Sequence, residues 1–109
     1  MTRYLFIESR DPFESRDAQF IVQTASALKQ RGDDVTVFLV QNGVLAARKN
    51  ARVSHLPQLA EIGVNLLADD FSLRERGIRG EEINREIRES SIDNLVDMLV
   101  QDNTKAIWH

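Results

Sequence analysis

The chain has 109 residues, a formal net charge of −3, 42% hydrophobic and 28% charged residues, and no cysteine. That length suits one domain, residues 1–109, and the missing thiols exclude disulfides, thiolate catalysis, cysteine-ligated zinc and iron–sulfur clusters. The acidic balance and the seven aromatics (five Phe, one Tyr, one Trp) argue against a basic nucleic-acid or membrane face and a base-stacking platform. No apolar run approaches the ~18 residues of a membrane helix, and the N-terminal one is too short for a signal-peptide core. The expectation is a cytoplasmic protein with neither nucleic acid nor membrane as partner.

"YLFIE" (Tyr4–Glu8) is apolar without alternation, as in a strand covered on both faces. A polar loop broken by Pro12 follows, with Ser15 as a helix cap. From Ala18 the positions Ala18, Ile21, Val22, Ala25 and Leu28 recur at helical spacing, and Phe20 and Ala27 widen that stripe. Basic residues and Gly32 close the helix. "DVTVFLV" (Asp34–Val40) is β-branched and apolar, the pattern of a central strand. "QNG" breaks it, "VLAARK" reads as a short helix, and "LPQLAEIG" as a helix ending at Gly63. "VNLLA" (Val64–Ala68) is the third strand, and "DFSLRERG" a turn or short helix stopped by Gly77. "IRGEEINREIRES" fits either a helix, with Ile83 and Ile87 four apart, or a short strand around Glu86–Arg88. "SSIDNLVDMLVQ" is a helix capped by Ser90 or Ser91, with Asp93 in its first turn and Ile92, Leu95, Val96 and Leu99 expected on its buried face. "KAIWH" is a terminal strand.

Strands alternating with helices imply an α/β fold with right-handed crossovers: three α/β/α layers around a mainly parallel five-stranded sheet. Ligands bind such sheets outside the carboxyl ends of the strands. Three loops meet there: Glu8–Phe13, Gln41–Gly43 and Asp69–Ser72. The ligand-cleft candidates are therefore Glu8, Ser9 and Arg10, then Gln41, Asn42 and Gly43, then Asp69, Asp70 and Ser72.

Each candidate has a plainer role beside the functional one. Asp70 is expected to cap a helix beginning near Ser72 while Asp69 is solvated; alternatively, Asp69 faces a ligand and works with Glu8 in acid–base chemistry, adjacent strand ends bringing the two near. Oxygens of Glu8, Asp69 and Asp70 are a weak set for a hard cation, with no supporting spacing. His55 and His109 are isolated and read as solvated, which leaves Ser72 without a base and favours a cap or turn hydroxyl. Gln41-Asn42-Gly43 makes either a turn or an anion cradle assisted by Arg10 and Arg16. No cofactor or metal site is read. Trp108 completes the core or an intersubunit contact.

The segment "ESRDPFESRDAQFIVQTASALKQRGDDVTVFLVQNGV" resembles the DsrE-like family (the DsrE, DsrF and DsrH type, with TusD, TusC and TusB relatives). The matching positions are Gly32, Val35, Val37 and Phe38, then Gly43-Val44, then Leu73, Arg76, Gly77 and Ile78, with the last helix and strand similar in length and place. The resemblance implies a DsrEFH-like fold, flavodoxin-like in general appearance. It also implies a homo-oligomer, a trimer or hexamer, acting beside sulfur-transfer proteins. Sulfur-carrying members place a cysteine after the third strand, often as C-x-x-C; counted back from Arg76-Gly77-Ile78, those positions are Asp69 and Ser72 here. A carboxylate and a hydroxyl cannot relay persulfide. The expectation is a non-catalytic accessory subunit, with a small-ligand module binding a nucleotide or other anion as the alternative.

Overall fold

The computed structural model describes residues 2–11, 18–51 and 55–109. Five strands, β1 (Arg3–Glu8), β2 (Asp34–Leu39), β3 (Asn65–Asp69), β4 (Ile87–Ser90) and β5 (Thr104–Trp108), form one sheet in the order β4-β3-β2-β1-β5. Every pairing is parallel. The apolar, β-branched β2 takes the centre, as its composition predicts. Between the strands lie helices α1 (Ala18–Gln30), α2 (Leu56–Glu61), α3 (Asp70–Glu75) and α4 (Ile92–Leu99).

From β1 to β4 the chain steps in one direction across the sheet. Right-handed crossovers then put the intervening helices on one face, and the return from β4 to β5 beside β1 carries α4 to the other. Two apolar clusters follow from the strand period of two. Phe6, Val37, Leu39 and Leu66 point toward a core with Ile21, Ala25, Leu59 and Leu73. Leu5, Ile7, Phe38 and Val40 point the other way and pack with Leu95 of α4. Phe6 and Phe38 are fully buried, a burial that stabilises by about 1.5–3 kcal/mol per side chain.

Several local expectations change. The run after β2 is a 3-10 helix over Gln41–Ala47, with Gly43, Val44, Ala46 and Ala47 buried. The ambiguous stretch 78–90 is no α-helix: a short 3-10 turn, Gly80–Glu82, precedes β4. Here sheet pairing overrides helical spacing, since Ile87 is buried opposite Leu66 and the edge position lets Arg88 and Glu89 stay exposed. The α1 stripe is narrower than predicted, with Phe20 and Ala27 exposed. On α4 only Leu95 of the four expected residues is buried; Ile92, Val96 and Leu99 are exposed, since a single short helix over a sheet touches it along one narrow line. Gly77, at φ +67, ends α3 in the left-handed region. No helix among the described residues is long and apolar enough to cross a membrane.

Candidate functional site

The carboxyl ends of β1, β2 and β3 bring the three candidate loops to one edge of the sheet, but in separate groups. Glu8 ends β1 opposite Leu39, and Leu39 lies opposite Ala68. β2 therefore stands between Glu8 and Asp69, two strand spacings or roughly 10 Å of backbone. The expectation that adjacent strand ends join these two carboxylates is corrected by the sheet order.

Asp69 is not solvated, and Asp70 is not the cap. Asp69 is buried (3% exposed) and is itself the N-cap of α3: its Oδ2 accepts from the Ser72 backbone N–H at 3.1 Å and from the Ser72 hydroxyl at 2.7 Å. β3 runs through Asp69 and α3 begins at Asp70 with no intervening loop, so the cap falls on the last strand residue. Ser72 is also buried, and its Oγ accepts from the Gln41 N–H at 2.9 Å. Asp70 lies in the first turn beside Arg74, 3.9 Å away and partly exposed. It lines a separate open cleft of about 920 Å³ with Arg79, Ser90 and Ser91.

The Gln41–Gly43 loop is held rather than open. Gln41 takes φ +51, a conformation uncommon outside glycine, and its N–H is engaged by Ser72. Gly43 donates its N–H to Val40 O at 2.9 Å. A Cβ at Gly43 would stand 2.2 Å from the Glu8 carbonyl oxygen, so glycine is needed for the approach of two backbones. Two of the cradle's N–H groups are thus already donated within the protein. Asn42 accepts through Oδ1 from Arg76 Nε at 3.2 Å and Nη2 at 3.1 Å, and Arg76 also donates to Ser72 O. Arg10 is exposed. Phe13, Ser15 and Arg16 lie outside the described residues.

The residue that sequence reasoning misplaced is His109. It is not a solvated, isolated histidine. β5 pairs with β1 in the register Ile7↔Trp108, and this sets His109 beside the end of β1. Its Nδ1 lies 2.8 Å from Glu8 Oε2 and 3.0 Å from Oε1. Its backbone carbonyl accepts from Ser9 N–H at 2.8 Å and Ser9 Oγ at 3.0 Å. Glu8, 6% exposed, also accepts from the Arg10 N–H at 2.9 Å. The signal was "KAIWH" itself: a terminal strand placed next to β1 must bring its last residue to Glu8, but nothing in the sequence says which strand it joins. Asp11 is buried here as well.

Two buried polar atoms at this edge, Asp69 Oδ1 and His109 Nε2, have no hydrogen-bond partner among the described residues. Among the described residues no three His, Asp or Glu side chains are grouped to hold a metal ion.

A family model described as the DsrE/DsrF-like family matches residues 2–105. The chain belongs to the DsrE/DsrF-like family. Among solved structures, this DsrE-like chain is similar to the protein of unknown function MTH1491 from Methanobacterium thermoautotrophicum, with TM-score 0.80, 20% identity, and all of both chains covered. It is also similar to the YchN protein from E. coli, with TM-score 0.78, 19% identity, and 98% of this chain and 100% of that one covered. At such identities the likeness is one of fold. A comparison with curated proteins finds no significant match. The DsrE-like fold places Asp69 and Ser72, in a chain with no cysteine, directly at the end of its third strand.

Proposed function

We propose that this chain is a non-catalytic, homo-oligomeric accessory subunit of the DsrE-like kind, one that works beside sulfur-transfer proteins without carrying persulfide itself. The observation that supports this reading is the closed Asp69–Ser72 pair. A relay needs a thiolate that takes up and releases sulfur. At this position Asp69 caps α3, and the Ser72 hydroxyl donates to Asp69 while accepting from Gln41. Both side chains are engaged in holding the loop. Glu8 and Asp69, separated by β2, do not form the acid–base pair a carboxylate enzyme would need.

The test is to incubate the protein with a persulfide donor and measure its intact mass. No gain is expected; retention of a sulfur atom on the chain would overturn the reading. Capture of a sulfur-transfer protein by the tagged chain is the matching positive result.

A second reading, a small-ligand module on the same edge, draws on Asp69 Oδ1 and His109 Nε2, which lack a hydrogen-bond partner among the described residues. A thermal-shift screen with nucleotides and phosphorylated metabolites addresses it, because a ligand bound to the native state raises the melting temperature. No shift at millimolar ligand ends it.

A further inference from the structure

The α4 helix is rolled so that much of its apolar surface misses the sheet. Leu95 and Met98 pack inward on Leu5, Ile7, Phe38 and Val40. On one flank, the Asn94 side chain donates to Ser90 Oγ at 2.7 Å, so that flank looks toward β4. The opposite flank, toward β5, carries Ile92, Val96, Leu99 and Val100, which are 48%, 50%, 40% and 76% exposed. Trp108 of β5 is 64% exposed. Its register partner, Ile7, belongs to the α4-side cluster, so the indole lies on the same face of the sheet as this flank. The exposed apolar residues of helix and strand therefore lie on one face of the sheet, toward its β5 side.

Among the described residues that edge is also unpaired. The Asn103 carbonyl accepts from Arg3 N–H, and His109 donates to Ile7 O and accepts from Ser9 N–H, so by strand alternation the N–H and C=O groups of Thr104, Ala106 and Trp108 point outward. The five exposed side chains together present roughly 500 Å² of apolar surface, at the upper end of what a monomer leaves bare. A standard interface covers about 800 Å² per partner and is about two-thirds apolar in homodimers, which is again about 500 Å².

We propose that a second copy of this chain docks on this edge, by antiparallel pairing of β5 with its own counterpart about a two-fold axis. The proposal rests on the homo-oligomeric reading above and gives it a surface. With Ala106 on the axis, the outward groups of Thr104 meet those of Trp108 in the second copy. The two apolar surfaces are brought against each other, and an exposed sheet edge is removed. Self-complementarity is what selects a second copy: one strand supplies both sides of the ladder. Lys105 does not intrude, because its register partner Tyr4 packs with the other cluster.

The experiment is light scattering across a concentration series, with Trp108, the sole tryptophan, as a fluorescent reporter. The full chain is expected at a multiple of two of its 12.4 kDa, with emission shifting to the red on dilution as the indole returns to water. Ala106→Pro removes an N–H that β1 does not use, and Val100→Asp puts a charge in the apolar surface at a well-exposed site. Each is expected to halve the mass with the far-UV circular dichroism unchanged. A monomer at every concentration overturns this surface and the oligomeric reading together. An oligomer whose mass neither variant lowers overturns this surface alone.

Discussion

His109 Nδ1 sits 2.8 Å from Glu8 Oε2 across 101 residues of sequence, joining the last strand to the first at the carboxyl edge of the sheet. Hydrogen bonds to a charged group contribute about 1.5–3 kcal/mol. Glu8→Ala and His109→Ala are each expected to lose stability in that range. The double variant is expected to lose clearly less than the sum, because the two side chains share one interaction. Urea denaturation of all four proteins measures the coupling; strict additivity would mean that the pair is not formed in solution.

Gly43→Ala is expected to destabilise more than an ordinary surface change. The added methyl would meet the Glu8 carbonyl oxygen at 2.2 Å, and backbone cannot swing aside as a side chain can. Overpacking of this kind costs about 1–3 kcal/mol. The midpoint of urea unfolding reads it, and an unchanged midpoint would show that the end of β1 and the 3-10 turn after β2 are not so close.

The two neighbouring aspartates are expected to separate sharply. Asp69→Ala removes a cap, for which about 1–2 kcal/mol is lost, and leaves the buried Ser72 hydroxyl without its acceptor. Asp70→Ala removes a partly exposed contact of 3.9 Å to Arg74, and its effect is expected within about 0.5 kcal/mol. Equal effects on thermal unfolding would refute the cap assignment.

Glu82 carries a clear electrostatic displacement. Its pKa is lowered from the ordinary 4.5, chiefly by the hydrogen bond from the Arg79 backbone N–H and then by the Arg79 side chain, against a smaller opposing effect of desolvation. The distances are 3.0 Å to the backbone N–H and 3.3 Å to Nε. A depressed carboxylate pKa supplies stability that is present above 4.5 and is lost as pH falls through the lower, folded value. An NMR titration is expected to place the Glu82 midpoint below 4.5, and Arg79→Ala to return it upward.

Much of the fold was legible because its signals are local. Unalternating apolar strands, helical spacing in α1 and a serine cap on α4, left open between Ser90 and Ser91, each follow from a few neighbouring residues; the cap is Ser91. Where two local signals conflicted, as at residues 78–90, the chain's own pattern could not decide: pairing of Ile87 with Leu66 did. The candidate loops were found from the rule that parallel strands present their carboxyl ends to ligands, and the absence of a thiol was plain by inspection.

What the sequence determined by itself was the α/β class and the impossibility of cysteine chemistry, since composition and short-range periodicity set these. Only the tertiary structure decided that His109 meets Glu8, that β2 separates Glu8 from Asp69, and that Ile92, Val96 and Leu99 of α4 face outward. Each of these depends on strand order and on the roll of a helix against a sheet. They are settled by packing between segments up to a hundred residues apart, which no local pattern of side chains encodes.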